Sequence, residues 1–314
     1  MLVIIIVSWN VRELLHTCLA SLQANPVQGM AQHIVVVDNA STDGTPAMVQ
    51  RDFPAVHLIA NTTNRGFTGG NNDGLMWADQ LIGTQPGPHF LFLLNPDTEV
   101  KPDALQRLAE FAAQHPQAGL MGPRLWYADG TAQPSRRRFP TLRTALFEAT
   151  WFQNYAPRRW MDRYYMRDTP DTEVAEVDWL VGAAMFVRYE AYQDVGPLDE
   201  HTFFMYSEEV DWCKRFKTAG WQIYYTPAAE VIHYEGQSSK QVSTQRDIRF
   251  HSSKVRYFAK HHGRAQAAIL RTWLLGQYVW QMGLEAAKWL AGSQRPLRAA
   301  RLRAYREVVA SGLK

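Results

Sequence analysis

Four short stretches of this 314-residue chain carry residue types and spacings that can do chemistry. Asn95-Pro96-Asp97-Thr98-Glu99 directly follows an apolar run. A carboxylate at the end of a buried strand can hold Mg²⁺ or Mn²⁺, ions that favour oxygen ligands and often take one or two carboxylates plus substrate phosphates. An Asx-Pro turn that only ends the strand is the alternative. Asn64-Arg65-Gly66-Phe67-Thr68-Gly69-Gly70-Asn71-Asn72-Asp73-Gly74 reads as a glycine-rich turn entering a helix, whose amides favour anions. Arg65 adds a possible bidentate phosphate contact, and a flexible loop is the alternative. The run matches neither Gly-x-Gly-x-x-Gly nor a Walker motif, which disfavours a dinucleotide site. Between Phe203 and Arg215, the carboxylates Glu208, Glu209 and Asp211 crowd into four positions at a helix start among Phe203, Phe204, Tyr206 and Trp212. Apolar surroundings raise a carboxylate pKa towards the range of a general base. Acidic decoration of a helix N-terminus is the bland reading. Finally, His233 ends the run Val231-Ile232-His233-Tyr234, where a neutral imidazole can ligate a metal or serve structure.

These residues need elements that position them. Leu2–Val7, Ile34–Val37, Val56–Ala60 and Phe90–Leu94 are apolar runs without alternation, as in strands buried on both faces. Helical patterns lie between them, at 11–22, from about 45 to 52, from the glycine-rich turn to about 80, and at 103–114. Another strand begins at Gly119–Pro123. This alternation predicts an α/β domain with a mainly parallel sheet. Ligands bind beyond the carboxyl ends of such strands, where Ser8, Asn10, Asp38, Asn39, Asn95 and Asp97 stand. Residues 134–178 break the rhythm with eight arginines interleaved with aromatics, and read as a partly helical insertion or an acceptor- or membrane-facing loop. Strand character returns at 179–187 and 222–225, with helices at 209–218 and 247–261.

The formal net charge of +3 conceals an asymmetry. Residues 1–249 hold 21 Lys and Arg against 28 Asp and Glu, whereas residues 250–314 hold 12 against 2. A basic tail implies an anionic partner. Cys18 and Cys213 lie too far apart in sequence for a disulfide framework, and a reducing compartment is expected. Neither a signal peptide nor a spanning helix is expected.

Taken in order, Val7-Ser8-Trp9-Asn10, Val36 to Gly44, Asn64-Arg65-Gly66-Phe67 with Gly70-Asn71-Asn72, Leu94-Asn95-Pro96-Asp97, Gly182-Ala183 and Phe204 to Asp211 resemble the family-2 glycosyltransferases, closest to the rhamnosyltransferase-like branch. The resemblance covers roughly residues 2–240. It implies a GT-A fold and inverting transfer from a nucleotide-sugar. By the same resemblance, Asp38 contacts the nucleotide base, Ser8 and Asn10 supply first-strand contacts, and Arg65, Gly66 and Asn72 lie near the ribose, diphosphate and sugar. Asp97 matches the metal-binding aspartate of the Asp-x-Asp motif, and His233 a histidine that joins the metal or pyrophosphate in some relatives. Asn95 replaces the motif's first aspartate, leaving one carboxylate. Glu209 stands in the place of the acceptor base, with Asp211 and Glu208 as the alternatives.

In the tail, Ile269, Trp273, Trp280 and Leu284 share one helical face and Gln277, Gln281, Glu285 and Lys288 another, followed by Arg295, Arg298, Arg301, Arg303 and Arg306. This pattern suits an anionic membrane surface. Packing on the protein or in a homodimer is the alternative, and nucleic acid is not expected because no nucleic-acid motif accompanies the charge. The sequence thus reads as a GT-A domain over 1–262 with a basic helical extension over 263–314. It is expected to be cytoplasmic, peripheral on the inner face of the cell membrane, using a divalent cation to move a sugar, rhamnose among the candidates, to a glycan acceptor on a lipid carrier. A UDP-sugar transferase on a soluble or protein acceptor, or a non-catalytic assembly subunit, are the other readings.

Overall fold

The computed structural model describes residues 1–234 and 243–314. In chain order, the first half alternates β1 (Leu2–Ser8), α1 (Arg12–Ala24), β2 (Gln32–Asp38), α2 (Thr45–Asp52), β3 (His57–Ala60), α3 (Gly66–Ile82), β4 (Phe90–Leu94), β5 (Thr98–Val100), α4 (Ala104–Gln114) and β6 (Ala118–Trp126). Then come β7 (Ala132–Gln133), β8 (Arg136–Arg137), α5 (Leu142–Phe147), a 3₁₀ turn at Gln153–Tyr155, α6 (Arg158–Tyr164), β9 (Ala175–Glu176), β10 (Trp179–Leu180) and β11 (Ala184–Arg188). The chain closes with α7 (Tyr189–Val195), α8 (Glu208–Thr218), β12 (Gln222–His233), α9 (Ser243–His261), α10 (Arg264–Leu290) and α11 (Arg295–Ser311).

The main sheet has the order β3-β2-β1-β4-β11-β6-β12-β5. It is parallel from β3 through β4, and again between β6 and β12. β11 enters antiparallel between β4 and β6, and β5 is antiparallel to β12. β1 and β4 are buried throughout, as β-branched and aromatic residues demand on a sheet covered on both faces. β3 departs from its expected burial: it is an edge strand with His57 and Ala60 exposed. The chain winds outward from β1 to β2 on one side and to β4 on the other. That reversal opens a crevice at the carboxyl ends of these strands.

The glycine-rich segment is a departure with a physical reason. It is no loop: Gly66 begins a 17-residue helix, α3, whose glycines are buried. Glycine is a poor helix former, so its presence here answers to packing. A Cβ on Gly74 would collide with Ile5 of β1, and a Cβ on Gly66, at φ +73°, with Phe204. The missing side chains let α3 lie close against the sheet.

Chain contacts divide the molecule into two compact units. The first takes Met1–Phe139, Tyr165–Phe204 and the chain from Glu208 through β12, and holds the sheet and its core. The second takes Pro140–Tyr164, Met205–Ser207 and the C-terminal helices. The sequence reading placed its boundary at residue 262, whereas these contacts group α9, α5 and α6 with α10 and α11. In the second unit, Lys254 Nζ pairs with Glu148 at 2.7 Å, and Leu270, Leu274 and Tyr278 of α10 are buried. Among the described residues, no helix is long and apolar enough to cross a membrane.

Candidate active site

β1 and β2 run in register, so Ser8 and Asp38 are paired neighbours at their carboxyl ends. Both are buried. Asp38 Oδ2 accepts from the Ser41 amide at 2.9 Å, while Asp38 Oδ1 and Ser8 Oγ have no hydrogen-bond partner among the described residues. Thr68 Oγ1, in the first turn of α3, is likewise buried and orphaned. Buried polar atoms are ordinarily paired, so these orphaned oxygens are candidates to meet a polar ligand. Asn10 is used differently. Its backbone is left-handed (φ 53°), its side-chain oxygen accepts from Thr42 N at 2.8 Å, and its own amide donates to Ser41 Oγ at 2.9 Å. It ties the loops after β1 and β2 together.

Arg65 and Asn72 are also engaged within the chain. Arg65 pairs with Asp73 and, at 3.2 Å, with Glu200. Asn72 clasps the backbone of Leu198, donating to its carbonyl at 2.9 Å and accepting from its amide at 3.0 Å. The Gly66 amide donates to Asn64 Oδ1, and the Thr68 amide to Phe204 O. Part of the amide array expected for a phosphate is therefore satisfied by the protein.

On the other side of the crevice, β12 pairs antiparallel with β5 so that His233 lies opposite Thr98. His233 Nε2 stands 3.4 Å from Asp97 Oδ1 and 3.5 Å from Asn95 Nδ2. Its Nδ1 lies 3.0 Å from Gln133 Oε1. An amide oxygen only accepts, so Nδ1–H donates to Gln133 and Nε2 is the ring atom that faces Asp97. Asn95 Oδ1 is buried and orphaned beside them. Among the described residues, no three His, Cys, Asp or Glu side chains gather as a full metal cage. An Asp, a His and an amide oxygen instead make a partial set of the kind that substrate phosphates complete. Gln133, which orients His233, was not a sequence candidate. It arrives from the short β7 on β6, and no local pattern announces it.

The three acids of α8 separate by environment. Asp211 is fully buried and bound to Arg215 at 3.0 Å, an ion pair within α8. The i,i+4 spacing of that pair was a readable signal. Glu208 is buried, with Oε2 unpartnered, and burial followed by the nearby Glu209 charge raises its pKa well above the carboxylate range. Glu209 is half-buried, and the bare Gly182 leaves space beside it. The next residue, Ala183, accepts the Asn95 amide at 2.9 Å. Gly182 thus lies against Glu209, and Ala183 holds the backbone of Asn95, two residues before Asp97. Two left-handed residues, Tyr206 (φ 71°) and Ser207 (φ 65°), precede α8. Within the second unit, Ser253 Oγ donates to Met205 O at 2.8 Å and the ring of Phe250 meets Tyr206 at 5.6 Å.

A raised folded pKa means that the native state favours protonated Glu208, so this group favours folding below its unfolded pKa and opposes it as pH rises. Glu208→Gln is expected to melt above the wild type at pH 8. The gap should close as the pH falls towards the ordinary carboxylate value, near 4.5. Melting curves across that range check it; a gap independent of pH would mean that the gain has another cause.

A doubly wound sheet with polar strand ends at its switch point and acids at a facing helix start defines an enzyme of the nucleotide-sugar transferase type. The family described as Glycosyl transferase family 2 matches residues 3–196, and the chain belongs to it as a glycosyltransferase. It is 30 % identical over 265 residues to N-acetylglucosaminyl-diphospho-decaprenol L-rhamnosyltransferase of Mycobacterium tuberculosis, covering 83 % of this chain and 86 % of that one. It is 25 % identical over 265 residues to a low-salt glycan biosynthesis hexosyltransferase of Haloferax volcanii, covering 82 % of this chain and 78 % of that one. Among solved structures, the mannosyltransferase of Pyrobaculum calidifontis in complex with GDP-Man and Mn²⁺ superposes with a TM-score of 0.55 at 17 % identity, over 99 % of this chain and 83 % of that one. That likeness concerns the fold, the expected GT-A type.

Proposed function

We propose that the enzyme transfers a sugar, with inversion, from a nucleotide-sugar to a glycan acceptor on a lipid carrier, rhamnose being the candidate sugar, in surface-polysaccharide synthesis. The observation that carries the reading is that Ala183 accepts from the backbone of Asn95, whose side chain meets His233 of the Asp97–His233 pair, while the adjacent Gly182 lies against Glu209. The mycobacterial relative, named for a rhamnosyl donor and a decaprenol-linked acceptor, supports the substrate class. Ser8, Asp38 and Thr68 bind the nucleotide portion through their unpartnered oxygens, and Asn10, Arg65, Gly66 and Asn72 shape the walls of that pocket.

Asp97, His233 Nε2 and Asn95 Oδ1 would hold Mg²⁺ or Mn²⁺, which neutralises charge developing on a leaving diphosphate. Glu209 takes the proton of the acceptor hydroxyl as that oxygen attacks the anomeric carbon. Burial, followed by the neighbouring Glu209, raises the pKa of Glu208 and favours its protonated form. The enzyme works at the inner face of the cytoplasmic membrane as a peripheral protein, with the basic second unit facing anionic lipid. A panel of nucleotide-sugars with N-acetylglucosaminyl-diphospho-decaprenol as acceptor tests the reading. One donor is expected to yield a product of inverted anomeric configuration by NMR. A retained configuration, or no transfer from any donor, would overturn it.

A further inference from the structure

Helix α10 buries one side, where Ala267, Leu270, Leu274 and Tyr278 lie together with the polar Gln277 and Glu285. Gln277 Oε1 accepts from Trp151 N at 3.2 Å, and Glu285 pairs with Arg298 at 2.8 Å. Its outer side shows Ala265, Ala268, Ile269, Thr272, Trp273, Gly276, Val279, Trp280, Gly283 and Ala287 to solvent, with no charge among them. Ile269, Val279 and Trp280 are each more than half exposed. A helix that buries one apolar side and still presents a second apolar face to solvent marks a surface for an apolar partner.

The face is not flat. Leu146 and Phe152 rise beside Trp273 and Trp280 to wall an open groove of about 720 Å³, floored by Gly276. Phe152 meets Trp273 at 5.1 Å, and the Trp273 indole N–H donates to Leu146 O at 2.7 Å, so the walls are braced. The volume lies within the range of small-ligand sites. Cations bracket the apolar stretch: exposed Arg264 opens the helix, exposed Lys288 closes it, and exposed Arg143 lies one turn before Leu146 on α5. Such a groove fits one hydrocarbon chain that bears an anionic head.

We propose that this groove seats the hydrocarbon chain of the lipid-linked acceptor, an inference that rests on the lipid-linked substrate of the proposed function. A bilayer surface meets a flat or convex apolar face, whereas this one is concave between aromatic walls. The same unit contains Met205–Ser207, the residues that run directly into α8 and the proposed base.

The test uses full-length protein in detergent micelles, titrated with decaprenyl phosphate and followed by tryptophan fluorescence, with flotation on phosphatidylglycerol vesicles in parallel. Gly276→Leu fills the groove without strain, because a Cβ there meets no atom within 4 Å and leucine is the better helix former. Wild type is expected to bind decaprenyl phosphate. The variant should bind it at least ~10-fold more weakly, the loss expected when an apolar side chain's worth of burial is denied, while still floating with the vesicles. Trp280→Ala should weaken binding in the same direction. Absent binding by wild type, unchanged binding by Gly276→Leu, or loss of flotation in step with lipid binding would each overturn the proposal, the last by assigning the groove to the bilayer. The titration contains no sugar, so a failed transfer assay would remove the proposed function without altering this readout.

Discussion

The Glu209→Gln variant should bind nucleotide-sugar like the wild type and transfer the sugar at least ~10²-fold more slowly, the usual contribution of a general base. That loss corresponds to about 2.7 kcal/mol of transition-state stabilisation. The substitution keeps the shape and removes only the capacity to accept a proton. It is a clean probe because the three acids of α8 are in different states. Asp211 is held by Arg215 in the core, and Glu208 is buried with its proton favoured. Glu209 alone of the three is only partly buried, and it borders the bare Gly182. Single-turnover transfer measured with donor calorimetry separates the outcomes. Near-normal turnover would remove Glu209 from the base role. A matching loss of donor affinity would make it a binding residue.

Asp97→Ala is expected to abolish the part of nucleotide-sugar affinity that depends on Mg²⁺ or Mn²⁺. The loss in metal affinity should reach at least the ~10–100-fold that follows removal of a partner one step beyond the metal. Asp97 is the one carboxylate at the end of β4, because Asn95 stands two positions before it. His233 Nε2, 3.4 Å away, would be left facing an apolar methyl. Calorimetry with and without the cation reads the effect. Equal metal dependence in wild type and variant would take Asp97 out of the metal site, whatever happened to turnover.

Much of the architecture was legible because it is written in local composition. The runs 2–7, 34–37 and 90–94 are too apolar for anything but buried strands, and the polar residues that end them had to lie at the sheet's carboxyl edge. The order of six motifs carried the family. The helical tail and its Trp-bearing face were also visible, with Ile269, Trp273 and Trp280 on one side of α10 as the periodicity required. The glycine-rich run was misleading because intrinsic propensity argues against a helix where close packing on β1 demands one. Arg65 and Asn72 reach partners far away in sequence, Glu200 and Leu198, that no local spacing predicts, while Arg65 also pairs with the nearby Asp73. The Asp211–Arg215 pair, by contrast, was within local reach at i,i+4 and marks an acid spent on structure.

By itself the sequence determined the α/β alternation, the strand ends that carry Ser8, Asp38, Asn95 and Asp97, and the place of the acids at a helix start. These follow from side-chain period and from turn chemistry, which act over a few residues. The tertiary structure alone decided which of the α8 acids are buried and how His233 is oriented, through Gln133 of a distant hairpin. It alone brought β11 antiparallel into the sheet and turned the apolar face of α10 outward beside Leu146 and Phe152. Burial, pairing and concavity arise between segments far apart in the chain, and no spacing within one segment encodes them.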